Sequence, residues 1–126
     1  WAVSLIVYRI QDSDGRGPFR PGFSHWWVEE RDDHKNLVPW FQEFGRHAIP
    51  PNNLHTGCGC RTLDQLRRWF TRIEYSRLLA YGFHAVEIGA DSVLHESGIQ
   101  LLFQRAKPLR IDVVPFDLYA NAEVGP

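Results

Sequence analysis

The sequence lacks a long apolar run, a charge surplus of either sign and a secretory leader pattern. Its most apolar stretch, residues 2–7, is interrupted by Ser4 and is far shorter than the ~20 residues of a transmembrane helix. The formal net charge is -1, which argues against non-specific nucleic-acid binding through a basic surface. We therefore expect a cytoplasmic protein that binds neither membranes nor nucleic acid.

Cysteine is scarce, and this excludes a disulfide framework. Cys58 and Cys60 are separated by one glycine, so a bridge between them would close a very tight ring, and two free thiols are the simpler interpretation. His55 lies three residues before Cys58, which raises the alternative of a metal site. Structural zinc sites normally use four ligands in two spaced pairs, so we expect no metal here.

Nucleotide-binding and hydrolase motifs are also missing. The sequence has no GxGxxG after a strand, no Walker A loop, no GxSxG elbow and no HExxH helix. Its composition, with 44% hydrophobic and 23% charged residues in a chain of 126, is that of one ordinary globular domain. We expect this domain to cover residues 1–119 and a frayed tail to follow at 120–126.

Hydrophobic patterning predicts strands at residues 2–10, 83–88, 99–105 and 111–118. The first is apolar on both faces and is predicted to be buried on both sides, whereas Pro115 places the last at a sheet edge. Residues 48–60 and 89–98 are rich in turn formers, so we expect irregular segments there, the second with a turn of helix around 91–95.

Three helices are predicted, at residues 37–44, 63–70 and 72–81. The last two begin with capping boxes, Thr62 with Gln65 and Thr71 with Glu74. The apolar face of the third is assigned to Ile73, Leu78, Leu79 and Tyr81. This order predicts an α+β domain with a small, mostly antiparallel sheet and three to four short helices.

The end of the first strand is a candidate anion site. Tyr8 and Arg9 close the strand, and Arg16 and Arg20 lie in the Gly- and Pro-rich loop that follows. An arginine offers five fixed donors to a phosphate, so these arginines could hold a diphosphate. The competing interpretation is that Arg9 pairs with Asp12 or Asp14, because surface ion pairs of this kind are common.

Four other positions carry candidate chemistry. Trp26 or Trp27 could stack on a base or nicotinamide ring, although core packing accounts for most tryptophans. His55 could act as a base or hydrogen-bond a ribose. Glu96 could stabilise an oxocarbenium-like centre, or it could be an ordinary solvated glutamate.

Two resemblances extend these hypotheses. The segments VYRI, GRGPFRPGF, HTGCGCRTLDQLRRWF and ESGIQLLFQRAKPLR resemble a group of small proteins from proteobacterial genomes and prophages, which implies no particular activity. More distantly, the layout is similar to small ADP-ribosyltransferase-like domains, including phage-encoded ones that modify host proteins. That resemblance implies a split antiparallel sheet and NAD as the cofactor.

The second resemblance also implies residue roles. Tyr8 and Arg9 match the strand that grips NAD, with Arg9 on the diphosphate. In IQLLF the position of the family's catalytic acid is Gln100, an amide, and Glu96 lies four residues earlier at the recognition turn. Either Glu96 takes the place of the acid, or the protein binds a nucleotide without turnover.

Two functions of different classes follow. The first is an NAD-dependent ADP-ribosyltransferase that modifies a host protein. The second is a non-enzymatic phage or prophage inhibitor that binds a host partner through Trp26, Trp27 and Trp40, because exposed aromatic patches mark binding surfaces.

Overall fold

The computed structural model describes residues 5–19 and 22–120, which form six strands and three helices. The strands are β1 (Leu5–Gln11), β2 (His55–Gly59), β3 (His84–Ala90), β4 (Ser92–Glu96), β5 (Leu101–Arg105) and β6 (Val113–Phe116), and the helices are α1 (Trp40–Phe44), α2 (Leu63–Trp69) and α3 (Arg72–Ala80). Two 3-10 turns span Ser24–Trp26 and Asp32–Asn36. The predicted α+β class is confirmed. The predicted tail, apart from Ala120, lies outside the described residues.

The strands form two three-stranded antiparallel sheets. The order is β1-β3-β6 in the first sheet and β2-β5-β4 in the second. The backbones of Tyr8 and Cys60 join the sheets through two hydrogen bonds of 2.9 and 2.8 Å. The arrangement is therefore a split antiparallel sheet, and within residues 5–19 and 22–120 no helix is long and apolar enough to cross a membrane.

Two apolar cores lie on opposite faces of the first sheet. The smaller core lies between the sheets and contains Val7, Ile88, Ala90, Leu101 and Phe103. The larger core packs α2 and α3 on the other face, and its fully buried members include Trp27, Leu66, Leu78, Phe83 and Leu118. Because side chains alternate along a strand, β3 contributes Ala85 to one core and Ile88 to the other.

Strand β2 was predicted as part of an irregular loop, and that prediction is wrong for His55–Gly59. A side chain at Gly59 would overlap Val7 Cγ1 and lie 2.8 Å from the Tyr8 carbonyl oxygen. One at Gly57 would lie 2.5 Å from Arg9 Nη1 and 3.0 Å from the Phe103 ring. The glycines that suggested a loop are required because β1 and β5 pack closely against them.

Both predicted capping boxes are confirmed, and α2 and α3 end one residue short of their predicted limits. The face assigned to α3 is wrong except at Leu78. Ile73, Leu79 and Tyr81 are 52%, 43% and 50% exposed, and Glu74 and Tyr75 are buried instead. The carboxylate of Glu74 can lie inside because it accepts hydrogen bonds from Arg31 and from the backbone N–H groups of Glu29 and Thr71.

Three further predictions need correction. The helix expected at residues 37–44 is restricted to Trp40–Phe44, because a 3-10 turn occupies residues 32–36 and Pro39 precedes the first helical residue. Residues 92–96 form β4, since they pair with β5, and not a helical turn. The predicted burial of β1 on both faces holds where Val7 and Ile10 enter opposite cores, but it is wrong at Ile6, which is 44% exposed.

The close contact at β2 makes a stability prediction. Gly59→Ala should lower the free energy of unfolding by about 3 kcal/mol or more, because the added methyl group must push apart the backbones of β1 and β2. Gly98→Ala is the matched control, since a Cβ there would meet nothing within 4 Å. Urea unfolding of both variants checks this, and equal midpoints for the two would contradict the packing described here.

Candidate functional site

Arg9, the centre of the predicted anion site, is buried between β1, β2 and the loop that follows β1. Its exposed fraction is 6%. Nη1 donates a 2.9 Å hydrogen bond to the Cys58 carbonyl oxygen, and Nη2 donates a 3.0 Å bond to that of Gly15. The guanidinium thus ties β1 to β2 and to the loop.

The buried guanidinium of Arg9 has no carboxylate partner among the described residues. Burial lowers the pKa of Arg9, while Cys58 and Asp12 raise it by smaller amounts. Nε has no hydrogen-bond partner among the described residues, and no described carboxylate lies within ion-pair distance. The sequence-based alternative, an ion pair of Arg9 with Asp12 or Asp14, is therefore wrong: those carboxylates face Arg16 at 3.9 and 2.8 Å.

The other predicted phosphate and ring contacts are dispersed. Arg16 is an exposed loop residue paired with Asp14, and Arg20 lies outside the described residues. Tyr8 is on the opposite face of β1 from Arg9, with its ring against Phe116 at 5.9 Å. His55 is exposed at the start of β2.

Glu96 and Gln100 are both held by neighbours in the second sheet. Glu96 is the last residue of β4 and forms two hydrogen bonds with Arg61, of 2.5 and 2.6 Å, which lower the pKa of its carboxyl. Gln100 is buried before β5, where its Nε2 donates to the Val38 carbonyl at 2.8 Å and to Glu43 at 2.9 Å. Each of these groups thus has a structural contact, and their predicted catalytic roles stay predictions.

The three tryptophans predicted to bind a partner differ in their exposure to solvent. Trp27 is fully buried and donates from Nε1 to the Pro18 carbonyl oxygen at 3.2 Å. Trp40, on α1, is partly buried. Trp26 is 61% exposed and its ring lies against that of His25, with centroids 4.6 Å apart. Of the three predicted interface tryptophans, Trp26 is therefore the one that the fold presents to solvent.

Exposed residues of α3 extend the surface near Trp26. Ile73, Arg77 and Tyr81 are spaced by four residues and lie on one side of the helix, and we call these three residues with Trp26 the α3 surface. Arg77 Nη1 donates to the Trp27 carbonyl at 3.2 Å, which joins the helix to the 3-10 turn that carries Trp26. Sequence analysis missed this surface because it assigned Ile73 and Tyr81 to the core.

A signal for the α3 surface was present in the sequence. Thr71 and Glu74 form a capping box, and the N3 glutamate of such a box must turn back toward the N-cap. Glu74 accepts from the backbone N–H groups of Thr71 (2.9 Å) and Glu29 (2.8 Å), and it also contacts Arg31 (3.3 Å) and His34 (3.2 Å). With Glu74, Tyr75 and Leu78 forming the buried face, Ile73 lies outside that face and is exposed to solvent.

The described residues include the linings of two surface pockets. One of about 340 Å³ is lined by Gly89, Asp91, Arg105, Ala106, Lys107 and Asp112. The other, of about 170 Å³, is lined by Arg72, Tyr75, Ser76, Leu79, Asp117, Tyr119 and Ala120. Small-molecule sites usually measure ~300–1,000 Å³, and none of the residues predicted to hold NAD lines either pocket.

The two thiols are free and differ in environment. Cys60 is buried, and its Sγ donates to the Ile99 carbonyl oxygen at 3.7 Å. Burial, with a smaller effect from Cys58, raises the pKa of Cys60 to about 12. Cys58 is partly exposed on the same strand, and the described residues contain no cluster of three or more potential metal ligands.

The burial of Arg9 changes how the NAD hypothesis must be tested. Arg9→Ala should lower the free energy of unfolding by about 3–5 kcal/mol, because it removes a buried side chain and leaves two carbonyls without donors. Arg16→Ala should leave stability unchanged within error, since that side chain is 62% exposed. Urea unfolding checks both expectations.

Calorimetric titration with NAD should then use variants that remain folded, Arg16→Ala and His55→Ala. If NAD binds as the sequence predicts, both variants weaken the titration. A loss of binding confined to Arg9→Ala would report unfolding, and no heat with the folded wild-type protein would contradict the NAD hypothesis.

The cysteine environments predict selective alkylation. At pH 8 a pKa of about 12 leaves roughly one Cys60 side chain in 10,000 as the reactive thiolate, so iodoacetamide should modify Cys58 and spare Cys60 in the folded protein. Mass spectrometry of Cys58→Ser and Cys60→Ser separates the two sites. Rapid labelling of native Cys58→Ser would show that Cys60 is more accessible than described.

Comparison with known proteins assigns the family. No curated protein and no solved structure matches the chain. The model of the family described as Bacteriophage T4 Y00F protein matches residues 5–117, which run from the first residue of β1 to just past β6. The expected relationship to phage proteins is therefore confirmed, and the chain belongs to the Bacteriophage T4 Y00F protein family.

Proposed function

We propose that this phage-family protein is a binding protein, without a catalytic role, that attaches to a host protein through the α3 surface. The observation that carries the proposal is the exposure of Trp26, 61% of which is open to solvent, directly before Trp27, whose carbonyl oxygen accepts a hydrogen bond from Arg77. A large apolar side chain left in water forgoes about 1.5–3 kcal/mol of burial free energy. Burial against a partner would recover that free energy.

The residue types on the α3 surface support a protein partner. Binding energy at protein interfaces is concentrated in a few side chains, and Trp, Tyr and Arg are enriched among them. Trp26, Tyr81 and Arg77 supply one of each type, and Ile73, 52% exposed, adds an aliphatic contact. Other exposed apolar residues occur, but Trp26 is the largest of them, and its neighbour Trp27 is hydrogen-bonded to Arg77 of α3.

The α3 surface is also well supported from beneath, which lowers the entropic cost of binding. Phe23 lies against Tyr81 at 5.2 Å and stacks on buried Phe83 at 5.6 Å. Trp27, the neighbour of Trp26, is fixed in the core. The 3-10 turn that presents Trp26 is thus held at both ends.

The alternative, an NAD-dependent ADP-ribosyltransferase, gains no support from the geometry of its proposed site. The guanidinium of Arg9 is occupied by backbone carbonyls, and the carboxylate of Glu96 is occupied by Arg61. It remains a hypothesis from the sequence, and the NAD titration above tests it separately.

Capture from a bacterial host lysate tests the proposed function. Immobilised wild-type protein should retain a specific host protein, and Trp26→Ala should reduce the amount retained at least tenfold, because it removes a central aromatic anchor. Thermal stability should change little, since the side chain is largely exposed.

Phe41→Ala is the matched control, because Phe41 is an exposed aromatic residue, 53% accessible, on α1. It should retain the same host protein as the wild type. Equal loss in both variants would indicate non-specific hydrophobic capture, and undiminished retention by Trp26→Ala would refute the assignment of the surface.

A further inference from the structure

The charge of α3 points to the kind of partner that the α3 surface fits. We propose that the partner docks an acidic amphipathic segment on the solvent side of α3, with a carboxylate against Arg77. This inference rests on the proposed function, and it adds the chemistry of the partner to it.

The solvent side of α3 is cationic and apolar. The helix contains two arginines besides its apolar residues, Arg72 and Arg77, and both are exposed. Its one acidic residue, Glu74, is fully buried and is neutralised from inside by Arg31, with His34 also in contact. The carboxylate of Glu74 is therefore not available to balance the charge of Arg77 on the outer side.

Arg77 differs from the neighbouring arginines in what it contacts. Arg68 forms two 3.0 Å hydrogen bonds with Asp33, and Arg61 is paired with Glu96. Arg72 lies over the Tyr119 ring at 4.9 Å. Arg77 donates to a backbone carbonyl, and the part of the chain that the structure describes places no carboxylate within ion-pair distance of it.

The setting of Arg77 favours a carboxylate ligand on a protein. A guanidinium can hold a carboxylate with two parallel hydrogen bonds, and Arg77 uses one of its five donors internally. Ile73 and Tyr81 lie one turn to either side, so docking of an apolar partner surface would exclude water from the ion pair and strengthen it. Apolar and acidic side chains alternating at helical spacing would match this stripe.

The 170 Å³ pocket on the other side of α3 supplies a second contact. It is lined by Arg72, Leu79 and Tyr119, among others, and it lies below the usual size range of small-molecule sites. A single side chain of the partner fits this description better than a free ligand does. Together, the pocket and the α3 surface flank the exposed side of the helix.

An anionic membrane surface would also attract a cationic, apolar helix. The protein, however, has a net charge of -1, and α3 has nine residues, which is short for a helix that lies in a lipid interface. The ring of Tyr81 also packs on Phe23, which stacks on buried Phe83. These features favour a protein segment.

The test uses the full chain labelled with ¹⁵N and three probes. The first is a helical peptide of leucine and glutamate, the second is the same peptide with lysine in place of glutamate, and the third is vesicles of phosphatidylglycerol. We expect the glutamate peptide to shift backbone resonances of residues 23–27 and 72–81, and to bind at least tenfold more tightly than the lysine peptide.

Substitutions at Arg77 test whether this residue causes the preference for the glutamate peptide. Arg77→Gln should weaken binding of the glutamate peptide about fivefold, whereas Arg77→Lys should restore part of it, because the charge is kept but the paired hydrogen bonds of the guanidinium are lost. Arg46→Gln is the control for net charge, since Arg46 is exposed in the loop after α1 and outside the α3 surface. It should bind the peptide like the wild type.

Other outcomes overturn the inference. Equal binding of the two peptides, shifts outside the named residues, no shift with any probe, or binding to vesicles in place of the glutamate peptide would each exclude an acidic protein segment as the occupant. Failure of the proposed function itself has a different signature, which is retention of the host protein by Trp26→Ala.

Discussion

The packing of β1 against β2 around the buried guanidinium of Arg9 is the constraint on which the split sheet depends. Burying a charged group costs free energy that hydrogen bonds offset, and Nη1 and Nη2 of Arg9 donate to the carbonyls of Cys58 and Gly15, whereas Nε has no partner among the described residues. One side chain therefore fixes the relative positions of a strand, a second strand and a turn. The space for it exists because Gly57 has no Cβ, and the backbone contact beside it exists because Gly59 has none.

A second buried charge organises the other side of the molecule. Glu74 closes the capping box of α3 and at the same time accepts from Arg31 and the backbone of Glu29. The chain between the first loop and α1, which has little regular structure, is thereby anchored to the helix pair. Trp26 lies in this part of the chain, which Arg77 also joins to α3 through its hydrogen bond to the Trp27 carbonyl oxygen.

The sequence predicted the elements that depend on local signals. The capping boxes of α2 and α3, the strand β5 and the edge position of β6 follow from spacing, capping and proline chemistry. The predictions were wrong where a residue is required by a contact with a part of the chain that is distant in sequence. Gly57 and Gly59 suggested a loop, because the close contacts with β1 and β5 that require them cannot be read from the neighbouring sequence. Ile73 was placed in the core, because the residues that bury Glu74 lie some 40 positions away in the chain.

The candidate site shows the same division between local and distant effects. Arg9 and Arg77 are the same residue type, and sequence analysis gave the functional role to Arg9 because it ends an apolar strand beside a glycine-rich loop. In the fold, Arg9 lies against glycines and two of its nitrogens donate to backbone carbonyls, whereas Arg77 lies at the surface with exposed Ile73 and Tyr81 one turn to either side. The scaffold and the α3 surface thus depend on different arginines, so the surface can change in charge without disturbing the contact between the sheets. Substitutions on the α3 surface can therefore alter its fit to a partner while the split sheet keeps its structure.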